Sequence, residues 1–457
     1  MKTLFTIIIS FTLCACNAQF TKYVNPFIGT GGHGHTFPGT VWPFGMVQLS
    51  PDTRVDGWDG CSGYHYTDSV ILGFSHTHLS GTGIADYCDI LIMPGNGSIS
   101  LGEIEEGKYP VSTFKKSNER ATPASYQVLL DNSKTLVQLT VTPRTGVHKY
   151  TFQSKENNWL VIDLKHRDKI EKAGFQIVQK DEIGGSRISS SWSKNQRVFF
   201  DLKFSSNIDQ IKFSTDSLKM FCFFKELKNK TLTIQCSLSP VDLKGAQKNL
   251  QEEWLNFNFK KAIKNCDDMW NKLLSRVNIQ QPQKEDYNKL KIFYSALYHC
   301  LIHPSLSQDV DGRYYGMDGM IHQAKKNSTR YTVFSLWDTY RAAHPLYQLI
   351  YPDYNKQFVN TFLEQFKETK RLPVWELASF ETYCMIGNHS IPVLANYFLQ
   401  NENLDRVEKN LIIESIEKTL EAGYSNIAQF KKGFISMNES AESVSKTIEN
   451  SIDFGAL

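Results

Sequence analysis

Residues 25–89 read NPFIGTGGHGHTFPGTVWPFGMVQLSPDTRVDGWDGCSGYHYTDSVILGFSHTHLSGTGIADYCD. Glycine, aromatic and short polar residues interleave here without lysine or glutamate, a mixture too polar for a plain core and too aromatic for an ordinary solvated surface. Five histidines, His33, His35, His65, His76 and His78, share the window with Trp42, Trp58, Tyr64, Tyr66, Asp56, Asp59, Asp86 and Asp89. A run of glycines from Gly29 to Gly39 lets the backbone take positive φ or approach a ligand closely. A pyranose has apolar C–H faces and a rim of hydroxyls, so aromatic faces beside short polar groups point to a carbohydrate site.

Four segments of this stretch occur in a telling order: Asn25–Thr30 (NPFIGT), Pro43–Met46 (PFGM), Cys61–Tyr64 (CSGY) and Gly73–His78 (GFSHTH). Together they resemble the N-terminal signature of glycoside hydrolase family 92. The resemblance continues through Arg144–His148, Phe293–His299, Trp337–Thr339, Trp375–Ala378 and Glu381–His389, so it spans nearly the whole mature chain. It implies a calcium-dependent exo-α-mannosidase that removes terminal α-linked mannose from glycans with inversion. It also implies an antiparallel β-sandwich, linker helices and an (α/α)6 barrel, with the active site where the barrel mouth meets the sandwich.

Outward from the signature, the hydrophobic period agrees. Val137, Leu139 and Val141 alternate with Gln138, Thr140 and Thr142, and similar short runs follow at 160–164, 197–200 and 231–234. Period-two runs broken by Gly, Asn and Ser predict an antiparallel sandwich over residues 20–240, with one solvated face per sheet. At Gly245 the period changes: Trp254, Phe257, Ile263, Trp270 and Leu274 recur at helical spacing, predicting one or two linker helices within 241–280. Gln281–Pro282 ends that unit, because a residue before proline disfavours the α region. Six helical segments are then predicted near 285–302, 333–349, 354–368, 381–398, 404–423 and 440–453, without strands, as an all-α domain over 281–457. Set beside the twelve helices that the resemblance implies, these form the first half of a barrel. The expectation is a chain truncated within its catalytic domain, since an open half toroid would leave apolar inner faces uncovered.

Residues 1–19 carry Lys2, an apolar run from Leu4 to Leu13 and small residues after it. The run is about half of the ~20 residues that a bilayer requires, so it predicts a secretory signal and not a span. Leu13–Cys16 (LCAC) also fits a bacterial lipobox, which would place lipid on Cys16; the alternative is plain cleavage after Ala18. Either way the protein is exported to the periplasm or cell envelope. The seven cysteines after Cys16 are scattered and form no CxxC pair, which fits small buried hydrophobes better than a disulfide framework or zinc ribbon. Cys61 and Cys88 flank the signature and could pair. A net charge of +3 with well-mixed signs gives no face for nucleic acid.

An inverting glycosidase needs a protonated carboxylic acid at the leaving oxygen and a carboxylate to activate water, roughly 6.5–9.5 Å apart. The family resemblance implies an acid in a Glu-Gly-Asn motif, calcium and sugar contacts in Gly-Asn-Glu-Pro, and a base in an acidic Gly-Asn-Asp/Glu-Asp motif. None of the three occurs in these 457 residues. No catalytic residue and no calcium ligand is therefore assigned; the catalytic residues and most of the calcium ligands are expected beyond Leu457. The substrate-side candidates are Asp338, Trp337, Trp58, Asp59, His76 and His78. Asp338 matches the family aspartate that hydrogen-bonds the terminal mannose, or else caps a helix beginning near Thr339. Trp58 stacks on a sugar ring or is an ordinary half-buried loop tryptophan. Glu376 and Glu381 are five apart, on different sides of one helix or on a loop and a helix start, which suits support of the barrel mouth better than an acid–base pair. His33/His35 and His76/His78 are each two apart, so on a strand both rings of a pair share a face, as some zinc sites require. Without a convincing third ligand, hydrogen bonds to loop backbone or sugar hydroxyls are the better reading.

Overall fold

The computed structural model describes residues 19–153, 157–279, 286–422 and 431–457. The leader with Cys16 and the Gln281–Pro282 stop lie outside the described residues.

The first part of the chain is a β-sandwich. A seven-stranded sheet runs Thr40–Val41, Gln48–Asp52, Gly73–Ser75, Leu91–Asn96, Asn158–Asp163, Lys219–Phe224 and Gln210–Phe213 in spatial order. An eight-stranded sheet runs Lys169–Gln179, Glu182–Ser190, Gln196–Phe204, Thr231–Ser239, Thr145–Thr151, Leu136–Val141, Ser125–Leu129 and Arg120–Thr122. Strand pairing is antiparallel, as the alternating pattern predicts. Leu160 and Ile162 of one sheet and Leu139, Leu202, Leu232 and Ile234 of the other share one apolar core.

The expectation of one solvated face per sheet is corrected. Asn158–Asp163 is buried at every position, on both faces. The segment that follows the signature folds back over it: Tyr109 donates from its hydroxyl to Asp163 (3.2 Å), and Trp159 on that strand is 1% exposed. Helix Leu243–Glu252 likewise covers strands Thr231–Ser239 and Gln196–Phe204 of the second sheet. A strand covered on both sides loses its alternation, which is why 159–162 is a continuous apolar run.

Two linker helices follow, Leu243–Glu252 and Phe259–Leu274, capped by Asp242 and Asn258 respectively. Trp270 joins the second to the sandwich: it is fully buried and its indole N–H donates to Val41 O (2.7 Å). Trp270→Ala would remove that hydrogen bond and leave a cavity, a change that typically costs about 3–5 kcal/mol.

The helical domain comprises Tyr287–Cys300, Leu336–Thr339, Ala343–Ile350, Pro352–Thr369, Ser390–Gln400, Arg406–Glu421 and Ser443–Gly455. Two expectations are corrected here. The helix predicted from 381 begins only at Ser390, because Trp375–Leu377 and Phe380–Glu381 are strands joined by a turn and the residues to 389 are loop. The domain is also not purely helical: Ser305–Leu306 pairs with Tyr331–Thr332, Arg313–Tyr315 with Ile321–Gln323, and Phe334–Ser335 with Trp375–Leu377, which pairs on with Phe380–Glu381. Strands of two or three residues are too short to show a period, and their pairing is held partly by side chains described below.

Candidate active site at the domain junction

The signature loops meet the helical domain through a small apolar cluster. Leu79 and Tyr87 from the sandwich and Val333, Trp375 and Leu377 from the helical domain are its buried members. Ile84, Trp192, Ala378 and Cys384 pack against them. Trp192 meets Trp375 edge-on at 4.9 Å, and Ser193 Oγ donates to Leu377 O (2.9 Å). Backbone strain gathers here: Tyr87, Cys88, Val333, Ala378, Ser379, Tyr383 and Met385 all have φ between +50° and +77°. For β-branched Val333 this conformation is a true outlier, and such residues concentrate where geometry is imposed for function.

On the sandwich side of the junction, Trp58 is 58% exposed. His35 meets its ring edge-on at 4.3 Å and His33 lies against it at 5.1 Å. Both histidines also face Asp59, at 2.7 Å from His33 Nδ1 and 3.7 Å from His35 Nε2. The hydrogen bond from His33 holds the Asp59 carboxyl below its usual range. Behind the indole, a Cβ on Gly83 would lie 2.5 Å from Trp58 Nε1, so this position has room only for glycine while Trp58 stays put. Gly83 precedes Ile84, which seats the loop on the junction cluster.

Across the junction, Asp338 lies within the single helical turn Leu336–Thr339 and is exposed. The helix does not begin at Thr339, so Asp338 is not its cap; Ser335 is the N-cap residue, and its hydroxyl donates to the Asp338 carboxylate. Trp337 is half-buried, lies 5.1 Å below the Arg341 guanidinium, and has an indole N–H with no partner. Cys384, on the junction cluster, lies close enough to feel the charge of Asp338. Trp58 and Asp338 are thus connected through Gly83, Ile84 and Cys384.

The other two candidates lie elsewhere. His76 and His78 are fully buried inside the sandwich, just past strand Gly73–Ser75. His76 belongs to a closed relay: Tyr150 O–H donates to His148 Nδ1 (2.7 Å), His148 Nε2–H to His76 Nε2 (2.9 Å), and His76 Nδ1–H to Ile90 O (2.7 Å). His78 Nδ1–H donates to Gln48 O (2.8 Å), while its Nε2 faces Asp52 Oδ1 (2.7 Å) and Ser75 Oγ (3.1 Å). Burial alone would raise the Asp52 carboxyl, but His78 and His166 outweigh it and hold it well below its usual range.

Glu376 and Glu381 face each other across adjacent strands, neither on one helix nor on a loop and helix start as the spacing suggested. Glu376 is fully buried and accepts from Thr332 Oγ1 (2.7 Å), Val333 N (3.2 Å) and Ser379 N (2.6 Å); burial raises its carboxyl to about 7. Glu381 accepts from Val374 N (2.7 Å), Trp375 N (2.9 Å) and Tyr383 N (2.9 Å). These two carboxylates hold the strained strands and turns of the junction together.

Comparison with known proteins agrees with this arrangement. Residues 23–259 match the glycosyl hydrolase family 92 N-terminal domain, and residues 245–457 match the family 92 catalytic domain. The chain belongs to glycoside hydrolase family 92. A family 92 α-mannosidase from Bacteroides thetaiotaomicron superposes with a TM-score of 0.88 at 31% identity, over 96% of this chain and 62% of that one. That enzyme is also known in complex with mannoimidazole. A family 92 inverting mannosidase from the same organism gives 0.81 at 25% identity, over 96% of this chain and 64% of that one. A curated relative from Arthroderma benhamiae, described as an uncharacterized secreted glycosidase, is 21% identical over 91% of this chain and 54% of its own length. The chain therefore spans 54–64% of the length of these relatives.

The sequence reading passed over Asp52, His166 and Gly83. Asp52 ends a short strand with no motif around it, and Gly83 is one of many glycines; only their neighbours in space mark them.

Proposed function

We propose that the junction receives a terminal α-linked mannose and that the activity it serves is mannoside hydrolysis with inversion. One observation carries this reading: an exposed indole and an exposed carboxylate, Trp58 and Asp338, flank one strained junction whose carboxylates Glu376 and Glu381 are taken up by protein donors. Trp58 offers a face for the sugar's C–H side, and Asp338 and Asp59 accept from hydroxyls. His76 and His78 enter this reading only as supports beneath the loops.

Inversion needs an acid and a base on opposite sides of the scissile bond. Glu376 and Glu381 are occupied by backbone N–H groups and carry neither role here. This favours a second reading for the 457-residue chain taken alone, a carbohydrate-binding protein without turnover. Calcium takes six to eight oxygen ligands. Among the described residues, the group of three or more His, Cys, Asp or Glu side chains that converges is Asp52, His78 and Cys88, a mixed set that does not fit calcium. The chemistry is therefore read without a calcium step. As proposals on the same footing, residues 20–240, 241–280 and 281–457 act as sandwich, linker and barrel segments, and an exported chain carries lipid on Cys16, which Cys16→Ser would release from the membrane fraction.

The test is calorimetric titration of the purified chain with methyl α-mannoside, alongside assay of mannose release with calcium present. Binding weakened about tenfold by Asp338→Asn, without release, is expected from loss of a charged hydrogen bond. Release abolished by Glu376→Gln or Glu381→Gln would show that the catalytic residues are those two, and absence of binding would overturn the site.

A further inference from the structure

Under the signature loops, Asp52 Oδ1, His78 Nε2 and Cys88 Sγ lie within 4.8 Å of one another, and all three residues are at most 1% exposed. We propose that these three side chains hold a divalent transition metal of the zinc class, a structural ion unrelated to the sugar site.

His78 commits its Nδ1–H to Gln48 O, which leaves its Nε2 facing Asp52 Oδ1 at 2.7 Å. A cation must lie between them, either a proton or a metal. A histidine whose far nitrogen donates to a backbone carbonyl is the usual posture of a metal ligand. A second observation points the same way. His166 Nε2 approaches Asp52 Oδ2 to 2.8 Å without an aligned hydrogen bond, so both atoms, although buried, lack a partner. His166 is thus a further nitrogen donor at the same carboxylate.

The backbone is bent to make the cluster. Tyr87 and Cys88 both take positive φ, +77° and +59°, to turn Cys88 inward, a conformation that costs on the order of 1–3 kcal/mol for each non-glycine residue. Gly63, at φ +79°, keeps the space beside the donors clear: a Cβ there would lie 2.3 Å from Asp52 Oδ1 and 2.9 Å from Cys88 Sγ. Arg167 Nη1–H donates to Cys88 Sγ (3.1 Å). Sulfur, nitrogen and oxygen from one cysteine, one histidine and one aspartate are zinc-type ligands, and the thiolate and carboxylate together balance a divalent charge. Binding releases the Cys88 thiol proton and any proton shared between His78 and Asp52.

The experiment is metal analysis of the full chain produced in zinc-supplemented medium and purified without chelator, paired with cobalt(II)-grown protein read by absorption. Close to one zinc per folded chain is expected, with a near-ultraviolet thiolate-to-cobalt charge-transfer band. Cys88→Ser should abolish the band and Cys61→Ser should leave it. Should Cys88→Ser fail to fold, the wild-type stoichiometry together with Cys61→Ser decides. Folded wild-type protein holding less than about a tenth of an equivalent, with no band, would overturn the proposal and leave a proton-bridged ion pair. Full metal retention in folded Cys88→Ser would overturn it equally.

Discussion

Two histidine pairs in one loop stretch have the same spacing and opposite fates. His33 and His35 gather around Trp58 and Asp59 at the edge of the junction, the His33 side chain 72% exposed. His76 and His78 are fully buried. At the rim, the His33 ring is open to water or a ligand, although His35 beside it is only 7% exposed. Below it, every nitrogen must find a partner in the protein, and His76 does so through the His148–Tyr150 relay whereas His78 needs a cation at Nε2. Spacing told which residues travel together; burial decides what each must bond.

The largest expected effect breaks the buried side of this contrast. Asp52→Ala removes the only carboxylate facing His78 and His166 among the described contacts and leaves their nitrogens stranded. Stability should fall by about 3–5 kcal/mol, the usual outcome of removing one partner of a buried charged pair. Asp59→Ala removes a comparable contact with His33 in solvent, where such pairs contribute far less. Urea unfolding of both variants checks this, and equal losses would erase the distinction between rim and interior.

The next effect is a pH dependence beneath the rim. Glu376 titrates near 7 in the folded protein because burial disfavours its charge, against 4.5 when exposed. Between those values the folded state holds a proton that the unfolded chain has released, so stability falls as pH rises. Glu376→Gln cannot titrate. Relative to the variant, wild type should therefore lose stability as pH rises from 4.5 through 7, by roughly 3 kcal/mol at the order-of-magnitude level. Unfolding curves at pH 4.5 and 8 measure it; a difference that stays flat would mean the three donors to Glu376 keep it ionised throughout.

Much of this was legible in sequence. Alternation at 137–142 gave the sandwich, the helical spacing of Trp270 and Leu274 gave the linker, and four short motifs identified the family. The short strands 334–335, 375–377 and 380–381 were not legible, because their pairing depends on Glu376 and Glu381 accepting amides from the turns around them. Those same bonds put the two glutamates opposite each other, where their five-residue spacing had suggested different sides of one helix. The buried cluster was hidden for a related reason: Asp52, His78, Cys88 and His166 come from four separated segments, and nothing in a linear pattern shows that they meet.

The smallest effect tests the rim itself. Trp58 is more than half exposed and its ring touches His33 and His35 without filling a cavity, so Trp58→Ala should change stability by no more than about 0.5 kcal/mol. If the indole serves a sugar, the same substitution should weaken methyl α-mannoside binding by about 0.5–1.5 kcal/mol, roughly 2–10-fold, the range for an aromatic contact beyond its buried area. Gly83→Ala sharpens the assignment from behind, because its new Cβ would meet the indole nitrogen at 2.5 Å and push the ring from its place while leaving its chemistry intact. Weakened binding in both variants, with unfolding midpoints unchanged for Trp58→Ala, assigns the indole to the ligand. A loss of stability without a change in binding would instead make Trp58 a lid over the histidines, and the rim would then resemble the interior more closely than its exposure suggests.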